Sequence, residues 1–496
     1  MKSFLKSGLI ILKANLVTRF LNMFSLGLLS RILSIQNFGL YNIYINTGNS
    51  INQITELGIT IPTQQKIAQC KKDNKEELGN FLGSIVLCVL IISFLFTFVL
   101  LIFKNQIFKY LLSNNYDNLL VNIIIVITLI EYLNVFTTSV LFGLGNFTNI
   151  FKKNLFSYTT LLVLLIPIAY FYGFTYVFYS YALYSFITLI YSVHLIKNEI
   201  AFNGIKLGLN NFFKHLKKVF KNGIVYYIGS TLLGSITGLL TIALFSKYVN
   251  IIDFSNFRIA SAIIALINFF PIGLASITIS YLSQSDEYEA INLKKFQFRY
   301  IIFFTLFISI ILNILLVPFI SLLFGNQYLI GINYITYLIF LNFFTQTATI
   351  INNFLISSKK NNFVGLISIV HSLIIICTLK YFIFNYGFNG YLFINYFTTI
   401  LITVLLISKE FLTTNYKTEK YKIISFLILT YIVIFLVLFI LNFVKFKILF
   451  YTINLIVFIL YFYIFYKYFI TENEKKIFLH KIKIFNDKKL RFNKST

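Results

Sequence analysis

The chain has 496 residues, of which 58% are hydrophobic and only 12% charged, with a mean hydropathy of +0.82. Soluble domains carry about 25% charged residues, so these proportions exclude an ordinary soluble protein. The apolar residues fall instead into blocks of about 20 or more, long enough to cross a hydrocarbon core of roughly 30 Å as helices. An all-α, multi-pass membrane protein is the expected fold class.

The formal charge of +26 has two bland sources. The chain is rich in Phe, Tyr, Ile, Asn and Lys, and membrane proteins collect Lys and Arg in cytoplasmic loops. No loop has room for a folded nucleic-acid reader, so no nucleic-acid partner is expected. Of the three cysteines, Cys88 and Cys377 lie in apolar blocks, and nothing matches a disulfide framework or zinc spacing.

In chain order, apolar blocks separated by charged and Asn/Gly-rich breaks give fourteen candidate spans: 8–30, 39–64, 80–103, 119–144, 154–172, 175–196, 222–246, 255–282, 300–320, 329–356, 363–383, 388–408, 422–443 and 448–467. The closely spaced pairs around Tyr172 and Gly387 leave the count open there. The first block has no cleavage-site pattern and reads as a mature helix. No connection much exceeds about 25 residues, which excludes a large catalytic ectodomain.

Lys and Arg are distributed unevenly. With the N-terminus in the cytoplasm, the opposite side holds only Arg31, Lys104, Lys109, Lys247, Arg258, Lys380, Lys445 and Lys447. That is a split of roughly four to one, a strong positive-inside signal that places both termini in the cytoplasm. The basic, partly amphipathic tail from Lys467 to Thr496 suits an anionic lipid surface.

The second span is the most informative. Asn42, Asn46, Asn49, Gln53, Glu56, Thr60 and Gln64 fall within an arc of roughly 80° when wound as one helix. Such a stripe cannot face lipid. It either bonds helices together or lines a hydrated cavity, and a full-length row that includes Glu56 favours the cavity. The first span repeats the pattern with Asn15, Thr18, Arg19, Asn22 and Ser25, placing Arg19 near mid-membrane; Lys13 lies off this arc, where snorkelling explains it. Glu131, Asn134 and Thr138 stripe the fourth span. The seventh offers Tyr226, Ser230, Gly234, Thr237 and Thr241, and the eighth Arg258, Ser261, Ala265 and Asn268. Asn342, Gln346, Thr349 and Asn353 stripe the tenth. The last two spans have almost no such stripe and read as lipid-facing additions.

Polar faces thus occur on spans 1, 2 and 4 and again on 7, 8 and 10, the same set offset by six. YLNVFTT at 132–138 echoes FLNFFTQ at 340–346, and a Lys-Lys-Asn follows each (152–154 and 359–361). The expected organisation is therefore a six-helix lobe over 1–200, a basic linker over 201–221, and a second six-helix lobe over 222–411. Helices 13 and 14 follow over 412–470, then a tail over 471–496. The two lobes would meet around a polar cavity.

Covalent chemistry has no foothold. Histidines occur only at 194, 215, 371 and 480, and there is no HExxH, DxD, P-loop or acidic pair at metal spacing. No cofactor is expected.

Residues 28–69, LLSRILSIQNFGLYNIYINTGNSINQITELGITIPTQQKIAQ, resemble the N-terminal signature of polysaccharide-type (O-antigen or teichoic-type) flippases of the multidrug/oligosaccharidyl-lipid/polysaccharide exporter superfamily. Arg31, Phe38, Gly39, Leu40, Tyr41 and Gly58 fill the signature positions, with Ser34 where a glycine is frequent. The resemblance implies two six-helix lobes that alternate between inward-open and outward-open states in a bacterial inner membrane. It implies flipping of an undecaprenyl-diphosphate-linked oligosaccharide, with a polymerase and chain-length components of a polysaccharide pathway as further partners. Arg19 would meet the diphosphate and Arg258 receive it near the outer end, while amides, hydroxyls and Tyr rings suit sugars. Coupling by protons, Na⁺ or the membrane potential stays open. A lipid II flippase, a cation or drug antiporter using Glu56 and Glu131, and a membrane glycosyltransferase are the alternatives. The first outer turn, Arg31 to Phe38, lacks the aspartate that such glycosyltransferases generally carry in an early outer loop.

Overall fold

The structure, a computed structural model, describes residues 2–73, 75–217, 219, 227–269, 271, 287–358, 360–413, 432–434 and 447–469. The thirteenth span (422–443) lies almost wholly outside the described residues. So do the tail beyond 469, the start of the seventh span with Tyr226, and the end of the eighth.

Helices account for nearly all of the described chain. In order they are α1 (Lys2–Ile32), α2 (Ile35–Thr55), α3 (Thr60–Asp73), α4 (Lys75–Leu112), α5 (Asn118–Gly143), α6 (Phe147–Tyr172), α7 (Phe174–Phe202), α8 (Leu233–Tyr248, preceded by a widened turn over Tyr227–Leu232), α9 (Ile251–Ile267), α10 (Glu287–Ile314), α11 (Leu316–Leu323), α12 (Ile332–Ser357), α13 (Asn361–Thr413) and α14 (Lys447–Ile464). Among the described residues, eight helical stretches are long and apolar enough to cross a membrane.

The polar breaks in the sequence act as caps. Ser34 Oγ accepts from Asn37 N at the start of α2, and Asp117 accepts from Leu119 N and Leu120 N at the start of α5. Asn146 and Asn250 do the same for α6 and α9. Each satisfies a backbone donor that the first helical turn leaves unpaired. The two closely spaced pairs are real breaks. Gly173, at φ 81°, ends α6, and Gly387, at φ 56° and ψ −134°, divides α13 into two crossing-length helices. Both conformations favour a residue without Cβ.

The second span is not one helix. It stops at Thr55, passes through Leu57 (φ 46°) and Gly58 (φ 68°), and restarts at Thr60 as the separate helix α3. A single 3.6-residue period over 39–64 missed this break. Gly58 is the only glycine in the Glu56–Ile59 turn, and periodicity cannot register two positive-φ residues in succession. Thr60 and Gln64 therefore do not continue the α2 stripe. The ninth span likewise divides, at Leu315, into α10 and α11.

The helices gather into two groups. In the first, α5 packs against α2, α3, α4 and α7, while α6 packs against α1 and α7. In the second, α12 packs against α9, α10 and α13, and α13 also packs against α8. Between the groups, α2 lies against both α8 and α9, with α1 against α9 and α4 against α8. Outward faces are apolar. Phe94, Leu95, Phe98 and Ile102 on α4 are all well exposed, as a lipid-facing helix requires. The last described helix, α14, packs on α10 through Tyr461, stacked on Phe303 at 5.7 Å, with Phe465 just beyond it stacked on the same ring at 3.8 Å, and it exposes Leu455, Ile456, Ile459 and Leu460.

Candidate functional site

The site is built around α2, because this polar helix is shared by both groups. At its Ile35 end a Cβ on Gly39 would sit 2.7 Å from Ile251 Cγ2 and 2.8 Å from Ser255 Oγ, so only glycine permits the approach of α9. Ser255 Oγ also donates to Ile35 O at 2.8 Å. At the Thr55 end, Tyr227 OH donates to Ile54 O at 2.7 Å and Ser235 Oγ donates to Gln53 Oε1 at 3.1 Å. Both ends of α2 are thus tied to the second group.

Between these ties the polar face is graded. Asn42 is fully buried; its amide donates to Phe38 O at 2.6 Å, and its Oδ1 has no partner among the described residues. Asn46 is half-buried, whereas Asn49 and Gln53 are exposed. Glu56 is half-buried at the turn, where it accepts from Thr60 Oγ1 at 3.2 Å. The row is dry at the Ile35 end and opens toward the Thr55 end. Such amides at membrane depth require water or a polar ligand rather than lipid, and α2 is accordingly not among the eight stretches apolar enough to cross.

On α1, Asn15, Arg19 and Asn22 are half-buried, and Thr18 is buried with its hydroxyl donating to Asn15 O at 3.1 Å. On α9, Arg258 is half-buried, its Nε has no partner among the described residues, and it stands within electrostatic reach of the Tyr41 and Tyr181 hydroxyls. Arg258 therefore belongs to the second group but faces tyrosines of the first.

The remaining residues are engaged within their own groups. Glu131 accepts from Ser185 Oγ, and buried Asn134 donates to Ser185 O at 3.0 Å, joining α5 to α7. Asn268 and Asn342 exchange amide hydrogen bonds of 3.0 and 2.8 Å, and Gln346 reaches Asn342 Oδ1 at 3.4 Å. These amides join helices, as polar side chains do where lipid offers no alternative partner. The structure thus brings Asn15, Arg19, Asn22, Asn46, Asn49, Gln53, Glu56 and Arg258 to partly or fully open positions. It leaves Asn42, Asn134, Asn268, Asn342 and Gln346 buried.

Two buried lysines were not singled out from the sequence. Lys153 on α6 donates to Asn134 O at 2.8 Å, Thr137 Oγ1 at 3.2 Å and Thr138 Oγ1. Lys294 on α10 pairs with Glu410 of α13 at 2.9 Å and donates to Ser358 Oγ at 3.1 Å. Lys153 reads as part of a basic loop until α6 is extended back to Phe147. Its position then begins the buried row Lys153, Ser157, Leu161, Leu165 and Ala169 at four-residue spacing. Among the described residues, no group of three or more His, Cys, Asp or Glu could hold a metal ion.

A family model described as polysaccharide biosynthesis protein matches residues 4–222. The resemblance read from residues 28–69 holds. The match covers the whole first helix group and the connection that follows it. Solved structures extend the likeness over most of the chain. The lipid II flippase MurJ in an inward closed conformation superposes with a TM-score of 0.67 at 15% identity, covering 92% of this chain and 99% of that one. An inward-facing multidrug resistance MATE family transporter of the MOP superfamily gives 0.60 at 15% identity, over 81% and 98%. A Vibrio cholerae MATE transporter gives 0.58 at 11% identity, over 84% and 97%. These are likenesses of fold, and they establish an all-α architecture shared with those proteins. No curated protein sequence matches the chain.

Proposed function

We propose that the chain is a flippase that moves an undecaprenyl-diphosphate-linked oligosaccharide from the inner to the outer leaflet by alternating access of two lobes, 1–200 and 222–411. The thirteenth and fourteenth spans of the sequence (412–470) are additions. The carrying observation is the graded face of α2, held between the two helix groups and open at Asn49 and Gln53. With both termini in the cytoplasm of a bacterial cell, the open end of that face is the inner end, where a lipid-linked sugar starts. The match to a polysaccharide biosynthesis family supports this substrate class.

Each part of the substrate has a chemical counterpart. Sugar hydroxyls suit the amides of Asn46, Asn49 and Gln53. The diphosphate suits Arg19 midway along the path and Arg258 near its outer end, whose Nε has no partner among the described residues. The polyprenyl tail stays in lipid. With the cell interior negative, moving about two negative charges outward is favoured by roughly 4–5 kcal/mol at 100 mV, so the membrane potential alone is an adequate source of drive. A polymerase and chain-length components would act on the product.

A lipid II flippase is the second reading, favoured by the superposition on a protein of that name; its substrate shares the diphosphate and polyprenyl chemistry. A cation antiporter is less well supported, because Glu131 is engaged by Ser185. The test is flipping of a fluorescent undecaprenyl-diphosphate oligosaccharide by purified protein in sealed vesicles. Wild type moves it, Arg19→Gln slows it about tenfold or more, and Arg19→Lys retains part of the rate. Full-rate flipping by Arg19→Gln would remove the diphosphate role of Arg19.

A further inference from the structure

The connection after α7 is seated on the first helix group on one side and left bare on the other. Gly208 N donates to Gly79 O at 3.3 Å. A Cβ on Gly79 would fall 1.9 Å from Lys206 O, and one on Gly83 would fall 2.2 Å from Gly208 O. The α4 glycines thus let the strap lie directly on the helix backbone. His215 is buried edge-on against the Phe81 ring at 5.7 Å, and Ile205 and Val219 are buried as well. This half of the strap is a packed contact.

The other half carries Phe202 at 88% exposure and Phe213 at 82%, together with exposed Leu207 and Leu209. Exposed Lys206 lies among them, and exposed Lys214 and Lys217 follow Phe213. No acidic residue occurs between Glu199 and Asp253, so the strap itself carries only positive charge, the neighbouring acids being Glu76 and Glu77 at the start of α4. Large apolar side chains alternating with lysines, on a rigid seat at the end of a membrane-crossing helix, match the chemistry of a bilayer interface. The rings enter the acyl boundary while the ammonium groups stay at headgroup level.

We propose that residues 202–217 form a binding site for anionic phospholipid headgroups of the inner leaflet. The charge complementarity and the depth of the seat commit the surface to lipid rather than to a protein partner. The inference rests on the cytoplasmic placement of this connection given above, and it adds a ligand that the transport reading does not require. Because the strap connects the two helix groups, headgroup binding would fix its position where the groups are linked.

The chain has no tryptophan, so Phe213→Trp gives a single reporter in the full-length protein. The protein is reconstituted with brominated phosphatidylglycerol or brominated phosphatidylcholine at equal mole fraction, and quenching is compared. Phosphatidylglycerol is expected to quench about twofold more strongly, from local enrichment by three lysines. In the Lys206→Gln/Lys214→Gln/Lys217→Gln background the two lipids should quench equally. Absence of quenching by either lipid would overturn the proposal, as would equal quenching with the lysines intact. The readout involves no substrate, so a lipid preference without flipping would count against the transport reading alone, and flipping without a lipid preference against this one alone.

Discussion

The Arg31 guanidinium at the end of α1 donates to Ser321 O at 2.8 Å, reaching from the first helix group to the last turn of α11 in the second. The same side chain also donates to Leu322 O and to Leu323 O. A cation here meets both the unpaired carbonyls and the negative end of a helix. Beside it Ser30 O accepts from Tyr328 OH and from Gln327 Nε2, each at 3.2 Å, and a Cβ on Gly27 would come within 2.9 Å of Leu323 O. In the sequence Arg31 is a signature position; in the fold it joins the two groups. In the transport account this junction closes the outer end and has to break for release.

Arg31→Ala is therefore expected to favour separation of the groups at that end. Arg31 is exposed, so the effect is modest: about 1 kcal/mol, or roughly fivefold in the ratio of open to closed forms. Distance distributions between spin labels on the α1 and α11 ends would measure it, and Arg31→Lys should give a smaller shift.

Lys153 should be a stability residue. Removing a buried, hydrogen-bonded charge while leaving half-buried Glu131 without its nearby cation is expected to cost about 3 kcal/mol. The thermal midpoint of Lys153→Met should fall accordingly, and Lys153→Met/Glu131→Gln should recover part of the loss. A double variant whose loss equals the sum of the Lys153→Met and Glu131→Gln losses would show that the two charges do not interact.

The Asn268–Asn342 pair gives a test of the buried amides. Asn342→Leu should destabilise by about 1–2 kcal/mol because Asn268 loses its partner, whereas Asn268→Leu/Asn342→Leu should be closer to neutral. Thermal unfolding of the three proteins checks this. Flipping that survives in the double variant would assign the pair to helix association alone.

The sequence showed the helical class, the polar character of α1 and α2, and the break at Gly387, because each leaves a local trace: an apolar block, a four-residue spacing or a glycine. Periodicity did not reveal the turn at Leu57 and Gly58, although the family signature placed the stop of the second helix at Gly58; a Cβ there would come within 2.6 Å of Tyr227 Cβ. That constraint comes from a helix distant in sequence. Nor did it separate amides that bond one another, such as Asn268 and Asn342, from those left open, such as Asn49. Amphipathic spacing says only that a face avoids lipid; its neighbours decide whether it is wet or dry. Lys153 and Lys294 were hidden for a similar reason, since both fell in segments read as basic connections.

Gly58→Ala follows from the same turn. With φ at 68° and Tyr227 in contact, the substitution should cost about 1–3 kcal/mol and loosen the Tyr227–Ile54 tie. A lowered thermal midpoint with Tyr227→Phe nearly additive would indicate strain independent of the tie, and a clearly sub-additive pair would indicate that both act through it.

The most direct test of the account is thiol labelling of Asn49→Cys, the open amide on α2. Cys70, Cys88 and Cys377 are replaced first, although burial already pushes the Cys70 thiol up and slows its reaction. In oriented membranes a membrane-impermeant maleimide applied to the cytoplasmic side should label position 49, and an undecaprenyl-diphosphate oligosaccharide should protect it. An unreactive position 49, or labelling that the lipid-linked sugar leaves unchanged, would contradict a hydrated substrate path along α2.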